Sequence, residues 1–390
     1  MSPHRKATKP LRILYGTTVG GSAYHLLHGQ MSWLSQQGHE VRLATTPDAL
    51  AHQAVEREGV PLIPIQMERE ISLRHDLKAL FRWLKTIRDY RPDVINVGTP
   101  KASLLGGLAA YVLRVPIRVY VVRGLRAEGA KGRKRALLLG MEWLTMRLAN
   151  RIVFVSDSLA DESARHRLTP ARHTYILASG SSNGVDAKGI AQFISSVDAT
   201  QLRASLGIHK DEVVVGFIGR LTSDKGVEDL VEAFRSPALN AKARLLLIGQ
   251  VEDPSIASRL EEITARVIPI GFVRDIRPYL PAIDILCLPT KREGFPNVVL
   301  EAAAAGIPAI TTRATGARDS VVDGETGTLV DAGDTRALVG GINRLIDQPH
   351  VRQQMGRNAR LRVERDFAPQ RIWNALNALY LQTETEALRT

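Results

Sequence analysis

Apolar runs of four to six residues, rich in valine, isoleucine and leucine, alternate with segments of helical periodicity along almost the whole chain. In the first half they fall at 12–15, 40–45, 93–97, 117–122, 151–155 and 174–177, and in the second at 213–218, 244–248, 267–270, 284–288 and 309–312. Apolar at successive rather than alternate positions, they predict parallel strands covered on both faces. Between them, Val227, Leu230, Val231 and Phe234 stand at i, i+3, i+4 and i+7, the stripe of a helix with one buried face. The alternation predicts a doubly wound α/β protein.

Two stretches restart the pattern, each a strand that leads into glycine and then a helix: residues 13–21 and 213–226. Between them Gly180-Ser181-Ser182-Asn183-Gly184, with polar residues continuing to about Ser205, reads as a hinge. The expected organisation is two parallel-sheet domains, 1–187 and 188–368, with a cleft between them. A last segment, 369–390, carries Ile372, Trp373, Leu376, Leu379 and Tyr380 on one helical stripe and is expected to pack back on the first domain.

Charge sharpens this picture. The 390 residues are 44% hydrophobic and 24% charged, ordinary for a soluble protein and too many for one core. The net charge is +12, and residues 1–190 carry all of the excess, with 28 basic and 15 acidic side chains against 24 and 25 in residues 191–390. A basic half joined to a neutral half predicts that one domain faces something anionic. The single cysteine, Cys287, lies in an apolar run, which excludes a disulfide framework and fits a core thiol in a reducing compartment. No run approaches the roughly eighteen apolar residues of a membrane span, and the N-terminus lacks a signal-peptide core. A cytoplasmic protein is expected, at most peripheral to a membrane.

The sequence has no G-x-x-x-x-G-K-[ST], H-E-x-x-H or C-x-x-C, no G-x-G-x-x-G behind a strand and no Asp-x-Asp pair, so neither a metal nor a cofactor is expected. Ser182 stands in a G-x-S-x-G string, but only His209 and His350 follow it, neither placed for a hydrolase triad. Residues 219–226, Gly-Arg-Leu-Thr-Ser-Asp-Lys-Gly, join the strand 213–218 to a helix. Helix-start N–H groups flanked by Arg220 and Lys225 suit a diphosphate, with Arg as a fork and Lys as a point charge. A solvated basic loop capped by Asp224 is the plainer alternative. After the strand 284–288, Pro296 fits the first turn of a helix of about ten residues, and Gly306 and Pro308 fit its end. Glu293 then lies in the loop and Glu301 one turn inside the helix, where two carboxylates can accept hydrogen bonds from sugar or ribose hydroxyls.

Glu293 and Glu301 have the E-x7-E spacing of retaining glycosyltransferases, and Glu-Gly-Phe-Pro-Asn-Val-Val-Leu-Glu-Ala at 293–302 resembles family 4 of that class, whose GT-B fold consists of two facing Rossmann-like domains. The 219–226 loop is similar to that family's diphosphate site, Gly20-Gly21-Ser22 to its N-terminal glycine loop, and Asp319 with 324–330 to its D-x-V-x-D-G-x-T-G-x-L-V stretch. The resemblance implies a metal-independent enzyme that uses a nucleotide-sugar, UDP-linked rather than GDP-linked. Arg220 and Lys225 would neutralise the leaving diphosphate, Glu293 would contact the sugar and Glu301 the ribose. Gly294, Phe295, Asn297 and Val298 would offer backbone groups, and Val273 would adjoin the base. Gly20 and Gly21 would let the first-domain backbone approach the diphosphate. Many family members carry a histidine after the strand corresponding to 117–122, where this chain has Arg123, which stays protonated and cannot be a general base. The leaving phosphate, His25 or another group would then take the proton, and Arg123 would bind a phosphate of donor or acceptor.

Arg69, Arg74, Lys78, Arg82, Lys85 and Arg88 run along a predicted helix with Leu77, Leu80, Phe81 and Leu84, and Arg123, Arg126, Lys131, Arg133, Lys134 and Arg135 precede the apolar stretch 137–148. Cationic amphipathic surfaces of this kind attract anionic headgroups. Residues 97–132, with Lys101, resemble family members that extend polyprenyl-diphosphate-linked sugars of surface polysaccharides. The expected partners are therefore a nucleotide-sugar and a lipid-linked acceptor on the cytoplasmic face of the inner membrane, with no nucleic acid. A soluble acceptor, or a non-catalytic nucleotide-sugar binder, stays as the alternative.

Overall fold

The structure, a computed structural model, describes residues 9–68, 70, 72–170 and 173–381; Arg69 lies outside the described residues. The chain divides into two units: the described residues up to Asn183 together with the helix Pro369–Leu381, and Gly184–Ala368.

In the first unit seven strands form one sheet, β1 (Arg12–Val19), β2 (Glu40–Thr46), β3 (Leu62–Pro64), β4 (Val94–Val97), β5 (Ile117–Val122), β6 (Arg151–Phe154) and β7 (Thr174–Ile176), in the order β3-β2-β1-β4-β5-β6-β7. In the second, six strands, β8 (Val213–Ile218), β9 (Ala243–Ile248), β10 (Val267–Gly271), β11 (Ile285–Leu288), β12 (Ala309–Thr312) and β13 (Gly327–Val330), follow the order β10-β9-β8-β11-β12-β13. Every pairing of named strands is parallel. The wholly buried runs β4, β8 and β11 explain the continuous apolar pattern, since helices cover both faces. In each sheet the order reverses beside the first strand, at β1/β4 and at β8/β11. Ligands of such sheets bind outside the strands' carboxyl ends at that reversal.

Residues 187–205, expected to continue the hinge, instead form the helices Ala187–Ser195 and Ala199–Ser205 of the second unit, each started by an aspartate cap. The boundary falls at Asn183, short of residue 187. Asn183 is itself fixed: its Oδ1 accepts from Gln30 Nε2 at 3.1 Å and Trp373 Nε1 at 2.6 Å, and its Nδ2 donates to the His28 carbonyl at 2.7 Å. The helix Pro369–Leu381 buries Ile372, Trp373, Leu376, Leu379 and Tyr380 in the first unit. Tyr380 meets the Tyr15 hydroxyl at 3.1 Å and takes a hydrogen bond from Asn96 at 2.5 Å, which fastens the helix to β1 and β4. Cys287 is fully buried in β11, and burial pushes its thiol up.

Candidate active site

The loops after β8 and β11 meet at the reversal of the second sheet. After β8 the chain passes Gly219 and Arg220, makes the 3-10 turn Ser223–Lys225 and enters the helix Val227–Arg235 through Gly226. Gly226 has φ +72°, and a Cβ there would lie 1.8 Å from the Pro289 carbonyl oxygen, so only glycine lets the two loops approach. Lys225 Nζ reaches Glu293 Oε1 at 2.5 Å, with both side chains largely buried. Asp224 ties the loops further: its carboxylate accepts from Thr222 Oγ1 at 2.6 Å and lies 3.3 Å from Arg292 and 3.8 Å from Arg220. Burial opposes its ionisation, but the Thr222 hydroxyl and the cations Lys225, Arg292 and Arg220 together hold the Asp224 carboxyl below the usual range. Asp224 therefore braces the loops rather than capping the helix, and Arg220, half exposed, also pairs with Glu252 at 2.8 Å.

The β11 loop is shaped from behind. The buried Thr290 hydroxyl lies 3.1 Å from the Asp224 carbonyl and 3.0 Å from that of Arg292, and Glu293 N donates to the Thr315 carbonyl at 2.8 Å. Gly316, φ +74°, packs where a Cβ would strike the carbonyls of Glu293 and Gly294 at 2.5 and 2.3 Å. The helix then runs Asn297–Ala304, eight residues rather than ten, with Pro296 at the N-cap rather than in the first turn and no side-chain cap at its start. Phe295 and Val298 pack against the core, Phe295 against Phe367 at 5.4 Å between ring centroids, so their side chains are turned away and their backbone is what a ligand would meet. Gly294 and Asn297 complete this loop.

Glu301 sits inside the helix, near the loop after β10. There Asp275 accepts a forked pair from Arg277, Nε to Oδ1 at 2.9 Å and Nη2 to Oδ2 at 2.7 Å, and the half-buried Val273 packs on the core. Burial first, then the Asp275 charge, push the Glu301 carboxyl up to about 7, against the pull of Arg277. Its native form keeps a proton to higher pH than the ordinary 4.5, so ionisation opposes folding. That penalty is absent below about 4.5, grows as pH rises towards 7 and is complete above it. Glu301→Gln is thus expected to raise the Tm at pH 8 and leave it unchanged near pH 4. Thermal melts of the ligand-free protein check this, and an equal gain at both values would contradict the assignment.

In the first unit the candidates are held by their own neighbours. The helix Gly20–Leu26 begins directly after β1, and Gly20 N donates to Asp48 Oδ2 at 3.0 Å. A Cβ on Gly20 would sit 2.1 Å from Asp48 Oδ1 and 2.3 Å from Ala51 N, so this glycine is required by internal packing, whatever approaches from outside. A Cβ on Gly21 would meet only Leu50 Cδ1, at 3.3 Å. Burial and Arg57 push His25 down, leaving it uncharged at neutral pH. Lys101 is paired with Asp76 at 2.6 Å and donates to the Glu70 carbonyl. Arg126 is exposed at the start of the turn Arg126–Gly129. Ser182 Oγ accepts from Arg123 Nε at 2.9 Å and follows β7 without entering a helix, so it is no nucleophile elbow.

Sequence reasoning did not single out Thr290, Arg292, Gly316 or the Asp275–Arg277 pair. A threonine two residues past the wholly buried strand β11 is the one signal that points to Thr290. Among the described residues no group of three or more His, Cys, Asp or Glu is arranged to hold a metal ion.

Two doubly wound sheets, with cationic and acidic loops meeting at the carboxyl edge of the second, define a glycosyltransferase of the GT-B fold. Residues 20–178 match the glycosyl transferase 4-like domain and residues 198–362 the glycosyl transferases group 1 family. CapM, a capsular polysaccharide biosynthesis glycosyltransferase of Staphylococcus aureus, is 35% identical over 382 residues, 95% of this chain and 97% of CapM. The UDP-Gal:alpha-D-GlcNAc-diphosphoundecaprenol alpha-1,3-galactosyltransferase of Escherichia coli is 24% identical over 80% of this chain and 81% of its own. The crystal structure of Anabaena HepE in complex with UDP shares the fold, with a TM-score of 0.77 at 21% identity over 95% of this chain and 99% of HepE. The chain belongs to the family 4 glycosyltransferases.

Proposed function

We propose that this enzyme transfers a sugar, with retention and without a metal, from a UDP-sugar to a polyprenyl-diphosphate-linked acceptor in surface polysaccharide assembly. The observation that carries the donor half is the Lys225–Glu293 pair, a cation and a carboxylate held together where a sugar diphosphate would lie. As the anomeric carbon loses its bond to the diphosphate oxygen, Lys225 and Arg220 offset the charge that collects there. Glu293 keeps Lys225 aimed and accepts from sugar hydroxyls. The acceptor oxygen bonds the anomeric carbon on the same face, and its proton passes to the departing diphosphate. The CapM likeness and the lipid-linked substrate in the name of the E. coli relative support the acceptor class, and UDP in HepE supports the donor base.

The surface of the first unit supports the lipid half. The helix Leu73–Tyr90 buries Ala79, Trp83, Ile87 and Tyr90, while Leu73, Leu77 and Phe81, at successive i+4 steps, are 83%, 54% and 62% exposed. Arg74, Lys78, Arg82, Lys85 and Arg88 are exposed around that ladder. Each such cation contributes about 1 kcal/mol near an anionic surface. No helix of the described residues is long and apolar enough to cross a membrane.

The test is release of UDP against GDP from a donor screen, with and without a polyprenyl-diphosphate-sugar acceptor, run beside flotation on vesicles of phosphatidylcholine and phosphatidylglycerol. Turnover with a UDP-sugar should require the lipid acceptor, and flotation should be lost at high salt and fall at least tenfold in Leu77→Glu/Phe81→Glu. Turnover on a soluble hydroxyl acceptor with no vesicle binding would overturn the lipid-linked reading.

A further inference from the structure

Arg123 stands at the carboxyl end of β5, one strand from the reversal of the first sheet. Its Nε donates to Ser182 Oγ at 2.9 Å and its Nη1 to the Gly98 carbonyl at 3.0 Å, at the end of β4. Gly98 leaves no room for anything else: a Cβ there would lie 1.6 Å from Nη1. The guanidinium is thus pinned by two neutral acceptors, and among the described residues no carboxylate pairs with it. The groups that bear on it electrostatically are the hydroxyls of Tyr15, Tyr120 and Tyr380, and the Tyr120 hydroxyl is itself hydrogen-bonded to Glu142 at 2.5 Å. Burial lowers its pKa to about 10, which leaves it a cation at neutral pH. A charge drawn largely out of water without a counter-ion is costly, and such costs persist where a ligand supplies the missing partner. Beyond it, Arg126, Lys131, Arg133 and Lys134 are exposed, a cationic approach to the same strand end.

We infer that Arg123 is the counter-ion for a phosphate or diphosphate group of the acceptor, held by the guanidinium edge that Ser182 and Gly98 leave unused. The inference deepens the lipid-linked reading and rests on it for the choice of acceptor over donor. The same chemistry is offered by the donor's own diphosphate, so the experiment separates the two.

Full-length protein saturated with UDP, which fills the donor site, is titrated with inorganic pyrophosphate and with geranyl diphosphate by calorimetry. Both should bind, and Arg123→Gln should weaken both at least tenfold while UDP affinity stays within twofold. Arg123→Lys, which keeps a charge but not the fork, should fall between. Unchanged binding in Arg123→Gln, or a loss of UDP affinity instead, overturns the inference. Should Arg123→Gln fail to fold, the wild type gives the answer: with UDP bound, pyrophosphate should protect Arg123 from phenylglyoxal by mass spectrometry, and absence of protection overturns it. Neither readout needs turnover, so failure of the sugar-transfer reading would not be mistaken for failure here.

Discussion

Lys225→Ala is expected to lower kcat for release of the nucleoside diphosphate by ~10²–10³-fold, the effect of removing one preorganised stabiliser of developing charge. Lys225 is the more confined of the two cations in its loop, with 18% of its side chain exposed against 55% for Arg220, so its charge is less screened. Its partner makes the test sharper. Glu293→Gln leaves Lys225 without the carboxylate 2.5 Å away and should lose activity by a similar factor, whereas Lys225→Ala/Glu293→Gln should be little worse than either single change. Steady-state release of the nucleoside diphosphate, with thermal melts to show that each variant is folded, measures the cycle. If Lys225→Ala stayed within threefold of wild type, the site would be wrongly placed.

Trp373→Ala should cost ~3–5 kcal/mol of first-unit stability, the range for deleting a large buried aromatic. The indole lies against Trp33, 6.0 Å between ring centroids, and its Nε1 donates to Asn183. Gly29 makes way for the ring: at φ +75°, it would place a Cβ 2.8 Å from the indole edge. Removing the side chain therefore opens a cavity and leaves the Asn183 Oδ1 with Gln30 Nε2 as its remaining donor. The expected fall in Tm is roughly 10 °C for a unit of about two hundred residues. Tyr380→Phe should cost less, about 1 kcal/mol, because only its hydroxyl contacts to Tyr15 and Asn96 are lost. Calorimetry that resolves the two units should show the first unit's transition moving and the transition of Gly184–Ala368 unmoved. A shift below 2 °C for Trp373→Ala would mean that the terminal helix does not hold the first unit.

Central strands were legible in the sequence because they are buried on both faces. β4, β5, β8, β11 and β12 begin and end within a residue of the apolar runs that announce them. The strands that escaped are edges. β3 is Leu62-Ile63-Pro64, with no residue fully buried, and β13 is Gly-Thr-Leu-Val, buried only at its ends. The opposite edges, β7 and β10, were announced by the runs 174–177 and 267–270, so it is the shortness and Pro64 of β3 and the Gly-Thr start of β13, not edge position alone, that hid them. The site divided in the same way. Glu293 and Glu301 share one strand-loop-helix segment, and their spacing was readable because both positions are local. The ion pair between Glu293 and Lys225 joins residues 68 apart, and Asp224 reaches Arg292 across the same gap. Only the β8/β11 adjacency brings them together, and one sequence carries no trace of that distance. Gly20 answers to a packing demand that no local pattern reveals. A glycine at a helix start suggests a ligand, and Asp48 and Ala51 also occupy the space its side chain would need.

The fastening of Tyr380 to Tyr15 and Asn96 also sets an order of events at the ribosome. Gly184–Ala368 is one uninterrupted stretch of chain and can close its own core as soon as it emerges. The older half cannot: Tyr15 and Asn96, translated early, wait for a partner hundreds of codons downstream. During that interval the surface later covered by Ile372, Trp373 and Leu376 stays open. The last contacts of the first half therefore form only after the whole of the second half has been translated.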